Sequence, residues 1–167
     1  MNKKIFFLIC LFCFTQIQNS TASNIANKMV GSYCFNVFGL KIYHIELLSA
    51  NGSFDYNQPL ALSITYHKNF SAKQLIDKTL SEMQKVNNLS KQQIADYNQI
   101  LRKHFVDVAK NDNKTAIFLP SVGMQLLLNN RQVAQINNPI FAKNFFDIWL
   151  SPKASYQDMQ KALINAD

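Results

Sequence analysis

Glycine and proline are scarce in this chain, with four of each in 167 residues. No Pro/Gly-rich linker, internal repeat or low-complexity block interrupts residues 30–165, so one domain is expected there. Cysteine is scarcer still. Of three, Cys10 and Cys13 fall in an apolar run at the start, which leaves Cys34 alone in the body of the chain. A lone cysteine cannot close an internal disulfide, and the reading for Cys34 is a small buried hydrophobe on a strand. Also missing are a His-Glu-x-x-His pair, a Gly-x-Ser-x-Gly elbow and a P-loop. His44, His67 and His104 have no further ligands at metal-binding spacing, so neither a metal nor a cofactor is expected. The formal net charge of +7 is scattered rather than gathered. Lys73, Lys78, Lys85, Lys91 and Lys103 alternate with Asp77, Glu82 and Asp96, and no basic stripe carries interleaved aromatics. Nucleic acid is therefore not an expected partner, and a solvated surface accounts for the lysines.

What the chain does have begins at its start. Lys3 and Lys4 precede an unbroken apolar run, Ile5 to Phe14, and small residues Ser20-Thr21-Ala22-Ser23 follow. This is the layout of a secretory signal peptide over residues 1–23, with cleavage near Ala22 or Ser23. The run is about half the roughly 20 residues that a membrane span needs. The expectation is a periplasmic or secreted protein, no stable membrane span after cleavage, and a domain over residues 24–167.

The body of the chain alternates between two periodicities. Tyr33 to Leu48 reads as one long strand with a bulge or bend at Gly39, and Leu60 to Tyr66 as a second strand. Two amphipathic helices follow, each opened by a capping box, Ser71 with Gln74 and Ser90 with Gln93. Strands return at Thr115–Leu119, Met124–Leu128 and Gln132–Ile136, the last two joined by a tight Asn129-Asn130-Arg131 turn. Asn138-Pro139 opens a third helix along Phe141, Phe145, Ile148 and Trp149, and Ser155 with Asp158 opens a short fourth. Strands, helices, strands, helices is the order of an α+β protein with an antiparallel sheet and helices stacked on one face. Thirteen Phe, six Tyr and five Met, some of them in the expected signal segment, still supply either a filled core or a core with a cleft for a flat or long apolar ligand.

Four segments in this order resemble the chalcone isomerase-like family. Phe38-Gly39-Leu40-Lys41-Ile42-Tyr43 is similar to its F-(x)-K-V-Y strand, and Phe70-Ser71-Ala72-Lys73 through Glu82-Met83 to its F-S-x-K…E-M segment. Leu128 to Ile136 resembles its L-N-G-x-x-x-G-x-I hairpin, and Phe141 to Leu150 its F-A-x-x-F-F-x-I-W-L helix. The likeness is strongest to the bacterial branch, whose members commonly carry export signals. It implies an open-faced β-sandwich, a large antiparallel sheet covered by a layer of helices. In plant members the cleft between the layers either isomerises chalcones or binds fatty acids.

The resemblance also implies what is missing. Plant isomerases stabilise an enolate with an arginine and with threonine and tyrosine hydroxyls. Here Phe70 stands for the tyrosine and Phe38 for the strand hydroxyl, Lys73 matches a lysine, Asp77 replaces an asparagine, and no arginine precedes Arg102. Phenylalanine donates no hydrogen bond, so chalcone isomerisation is not expected and no catalytic residue is assigned. The first expectation is a non-catalytic module binding a small apolar ligand such as a fatty acid, with Lys41, Tyr43, Phe70, Lys73 and Asp77 as candidate contacts. An enzyme of different chemistry using Lys73 and Asp77 as a cleft pair, and an envelope interaction module without a small ligand, stay open.

Overall fold

Six strands follow one another in chain order across a single sheet: β1 (Lys28–Val37), β2 (Leu40–Ser49), β3 (Leu60–Tyr66), β4 (Asn113–Leu119), β5 (Gly123–Leu128) and β6 (Arg131–Ile136). Every neighbouring pair is antiparallel. The computed structural model describes residues 26–164; the expected signal segment lies outside the described residues. Four helices complete the fold: α1 (Ala72–Asn87), α2 (Lys91–His104), α3 (Pro139–Leu150) and α4 (Gln157–Ile164).

The expected long strand over Tyr33–Leu48 is in fact a hairpin. Phe38 and Gly39, with φ of 49° and 78°, form a two-residue turn between β1 and β2, and Val37 faces Leu40 across it. Positive φ at both central residues matches the right-handed twist of the flanking strands. Gly39 therefore reverses the chain rather than bending it, and Phe38 stands fully exposed at the tip. Asn129 and Asn130 (φ 50° and 64°) make the same kind of turn between β5 and β6, as the sequence predicts.

Strand residues alternate between the two faces of the sheet. The inward face carries Ile45 and Leu47 of β2, Leu62, Ile64 and Tyr66 of β3, Ala116 and Phe118 of β4, and Met124 and Leu126 of β5, all buried. The opposite face is mostly polar, with Asn113 Nδ2 donating to Ser63 Oγ (2.9 Å) and Thr65 Oγ1 (3.2 Å). A small apolar strip of Ala61, Ile117 and Leu127 crosses it beside Ala26. Cys34, expected to be buried, is only half-buried and pairs with His44 on β2.

Helices α1, α2 and α3 begin where the sequence places them, whereas α4 begins at Gln157 with its first-turn bond from Gln160 N to Tyr156 O, and the expected opener Ser155 donates its hydroxyl to Glu82 instead. Ser71 and Ser90 each accept from the backbone N–H three residues on, while Gln74 and Gln93 accept in return. Asn138 Oδ1 accepts from Phe141 N at 2.9 Å with Pro139 in the first turn of α3. Helix α3 is the keystone: Phe141, Ala142, Phe145, Phe146, Asp147, Ile148 and Leu150 are all buried. It lies against β4 and β5 on one side and against α1 and α4 on the other. Helix α4 crosses β1 so closely that a Cβ on Gly31 would come within 2.0 Å of the Ala162 carbonyl oxygen. The β2–β3 connection is pinned to α3 by Tyr56, whose hydroxyl donates to Asp147 Oδ1 at 2.8 Å, while Lys143 Nζ reaches Oδ2 at 2.8 Å.

Candidate functional site: a cavity between sheet and helices

Close packing should leave few voids larger than a water molecule in such a core. Between the inward face of the sheet and the helix layer there is nevertheless a cavity of about 330 Å³. Its floor is Tyr43, Leu62, Ile64, Tyr66, Ala116 and Leu126; its roof is Leu75 and Thr79 of α1, Phe145, Ile148 and Trp149 of α3, and Met159 of α4. Phe70 and Phe105 line one end, and Phe35, Lys78, Glu82 and Tyr156 stand at the other. Phe35 and Tyr156 meet edge-on, with ring centres 4.8 Å apart.

Few polar groups reach into this apolar space. Tyr43 Oη donates to Met159 Sδ (3.7 Å) and accepts a long contact from Trp149 Nε1 (3.5 Å). Burial pushes its phenol up to about 12, against which the Trp149 contact acts in part. Burial, with Tyr43 nearby, likewise raises the Tyr66 phenol, so both remain donors at neutral pH. The third group is Lys114. Its side chain projects from β4 on the inward face, where the rung across the sheet reads Tyr33, Ile45, Ile64, Lys114, Leu128. The residue is 5% exposed, and its Nζ has no hydrogen-bond partner among the described residues. Among the described residues, what compensates it is the Phe105 ring, whose centre lies 4.1 Å away. Burial holds this amine down to about 8.

At the other end the charges are paired. Glu82 is buried on α1 and accepts from Lys78 Nζ (2.8 Å), Lys85 Nζ (3.0 Å) and Ser155 Oγ. Burial works to raise its carboxyl, but those three donors outweigh it and hold the group down at about 2. Burial lowers the Lys78 amine and the contact with Glu82 raises it, the net effect being upward.

Of the residues that the sequence points to, Tyr43 and Phe70 line the cavity. Lys41 does not: it sits next to the hairpin tip, exposed to solvent. Lys73 and Asp77 do share one face of α1, as their spacing predicts, but that face is the outer one. Their 2.6 Å ion pair has side chains 80% and 60% exposed, in a surface dip with Arg102 rather than in the cleft. The inner faces of α1 belong to Leu75, Ile76, Thr79, Glu82 and Met83. Phe70 puts a ring without a hydroxyl into the cavity, and Phe38 lies at the tip outside it. The sequence reading missed Lys114, Tyr66 and Glu82 as site residues. For Lys114 a signal was present, because Lys114, Ala116 and Phe118 are in phase on one strand face. The expected strand began one residue too late to include it.

A six-stranded antiparallel sheet with one face roofed by helices, and a cavity held between the layers, defines the class of fold. The chain belongs to the chalcone isomerase-like family, whose model matches residues 36–165. No curated protein matches it in sequence. Among solved structures it is similar to a fatty-acid binding protein of Arabidopsis thaliana, with a TM-score of 0.62 over 86% of this chain and 90% of that one. The two share 5% sequence identity, so the likeness is one of fold. Among the described residues no helix is long and apolar enough to cross a membrane, and no three metal-ligating side chains cluster.

Proposed function

We propose that this protein binds a small apolar ligand, a fatty acid being the best-fitting chemistry, in the cavity between sheet and helices, and does so without transforming it. The observation that carries the reading is the apolar cavity of about 330 Å³ inside an otherwise close-packed core. Its size falls within the roughly 300–1,000 Å³ usual for small-molecule sites. The fatty-acid binding activity of the Arabidopsis structural neighbour agrees with this choice. The absence of a hydroxyl on Phe70, and of any arginine before Arg102, supports binding without isomerisation. Export to the periplasm or beyond is part of the proposal and is supported by the pattern of residues 1–23.

Displacement of a fluorescent fatty-acid analogue from delipidated protein tests the reading. Saturable, stoichiometric displacement by long-chain fatty acids, with a rise in melting temperature, is the expected result. No binding and no thermal shift would contradict it. The observation behind the alternative of an interaction module is the hairpin tip, where Val37, Phe38 and Leu40 are exposed together.

A further inference from the structure

Lys114 is the feature that a merely apolar pocket does not explain. Its amine is buried and lines the cavity, and it lacks any hydrogen-bond partner among the described residues. The groups facing it across the neighbouring strands are Ile64 and Leu128, and Phe105 covers it from the end of α2. None carries negative charge. Glu82 is the one carboxylate lining the cavity among the described residues, and Lys78, Lys85 and Ser155 already occupy it. The remaining titratable groups around the cavity, Tyr43, Tyr66, Tyr156 and Lys78, are phenols or a cation.

A buried cation without a partner is costly to keep unless something supplies the opposite charge. No group among the described residues does, and the adjoining empty space is ligand-sized. The end with paired charges lies at β1, α1 and α4, whereas Lys114 lies on β4. Three strand spacings separate β1 from β4, roughly 14 Å at about 4.8 Å each. An elongated ligand can therefore place a head group at Lys114 while its tail runs under α1 and α3 toward Phe35 and Tyr156.

We infer that Lys114 is a charge anchor that makes the cavity selective for amphiphiles with a carboxylate head, bound head-inward. This deepens the proposed binding function and rests on it. The ammonium would donate to the carboxylate, a charge-assisted hydrogen bond in a water-poor setting. Neutral or cationic head groups of the same chain length gain nothing there, and a cation is repelled.

The test is a titration of delipidated full-length protein with dodecanoate, 1-dodecanol and dodecyltrimethylammonium, using wild type, Lys114→Met and Lys114→Arg. Methionine keeps the length and removes the charge, so loss of folding is not the expected cost. Wild type should prefer dodecanoate to dodecanol by about tenfold or more, the scale of one charge-assisted hydrogen bond. Lys114→Met should lose that preference while still binding dodecanol, and Lys114→Arg should keep it. Equal binding of acid and alcohol by wild type, or an unchanged preference in Lys114→Met, would overturn the anchor and leave the apolar binding reading intact. Failure of wild type to bind any of the three would overturn both.

Discussion

The Lys114 ammonium lies 4.1 Å from the centre of the Phe105 ring, and no hydrogen-bond acceptor among the described residues reaches it. An aromatic face recovers only part of the hydration that a cation gives up, by about 2 kcal/mol in a desolvated setting. The remainder is a standing cost to the ligand-free fold.

Lys114→Met should be more stable than delipidated wild type at pH 7, by on the order of 2–3 kcal/mol. The sign follows from the amine being held at about 8 in the fold against 10.5 in the unfolded chain. Between those values the unfolded state binds the extra proton, so wild-type stability rises with pH and the gap to the variant narrows. Urea titrations at pH 7 and pH 10 check this. A variant less stable than wild type at pH 7, or a gap that does not change with pH, would contradict it.

Carboxylate binding should weaken above pH 8, by about tenfold per pH unit until the pKa of the bound complex is reached, as the free protein loses its ammonium. No other shifted group at the cavity produces that slope. Tyr43 is raised to about 12, Tyr66 and Lys78 are also raised, and Glu82 at about 2 stays ionised throughout. Isothermal titration from pH 7 to pH 9.5 measures it, and Lys114→Met should show no comparable slope.

The fold was more legible in the sequence than the site was. Capping boxes at Ser71 and Ser90, the Asn138-Pro139 start and the Asn129-Asn130 turn are local devices, and each is satisfied within a few residues. The β1–β2 turn was concealed because Phe38 occupies a position usually taken by Asn or Gly, and apolar alternation resumes directly after it. Site residues depend on which face meets which layer. The spacing of Lys73 and Asp77 correctly put them together on α1 but carried no information about whether that side looks inward or out. Lys114 is in phase with Ala116 and Phe118 in the sequence, but that this phase faces the helices follows only from the sheet, with β4 beginning at Asn113.

Glu82 ties α1 to the segment before α4 through Ser155. Its carboxyl is held at about 2 against 4.5 unfolded, so its stabilisation is fully present above pH 4.5 and disappears as pH falls toward 2. Glu82→Gln should cost about 1–2 kcal/mol at pH 7, the full shift being discounted for the exposed lysines that produce it. Thermal denaturation at pH 7 and pH 3 should show the wild type losing most of its advantage at the lower pH.

Ala116 is a buried, small residue on the cavity floor between Lys114 and Phe118. Ala116→Phe should fill the cavity, abolish ligand binding and leave the melting temperature of the ligand-free protein unchanged or higher. Overpacking a filled core costs about 1–3 kcal/mol instead, so a large destabilisation would show that the space is not available.

Native mass spectrometry of the protein purified from its own host measures occupancy of the cavity directly. A one-to-one adduct is expected, identified on extraction as a carboxylic acid with a long apolar chain and absent from Ala116→Phe. An adduct-free wild-type spectrum, with no adduct after incubation with fatty acids, would contradict it.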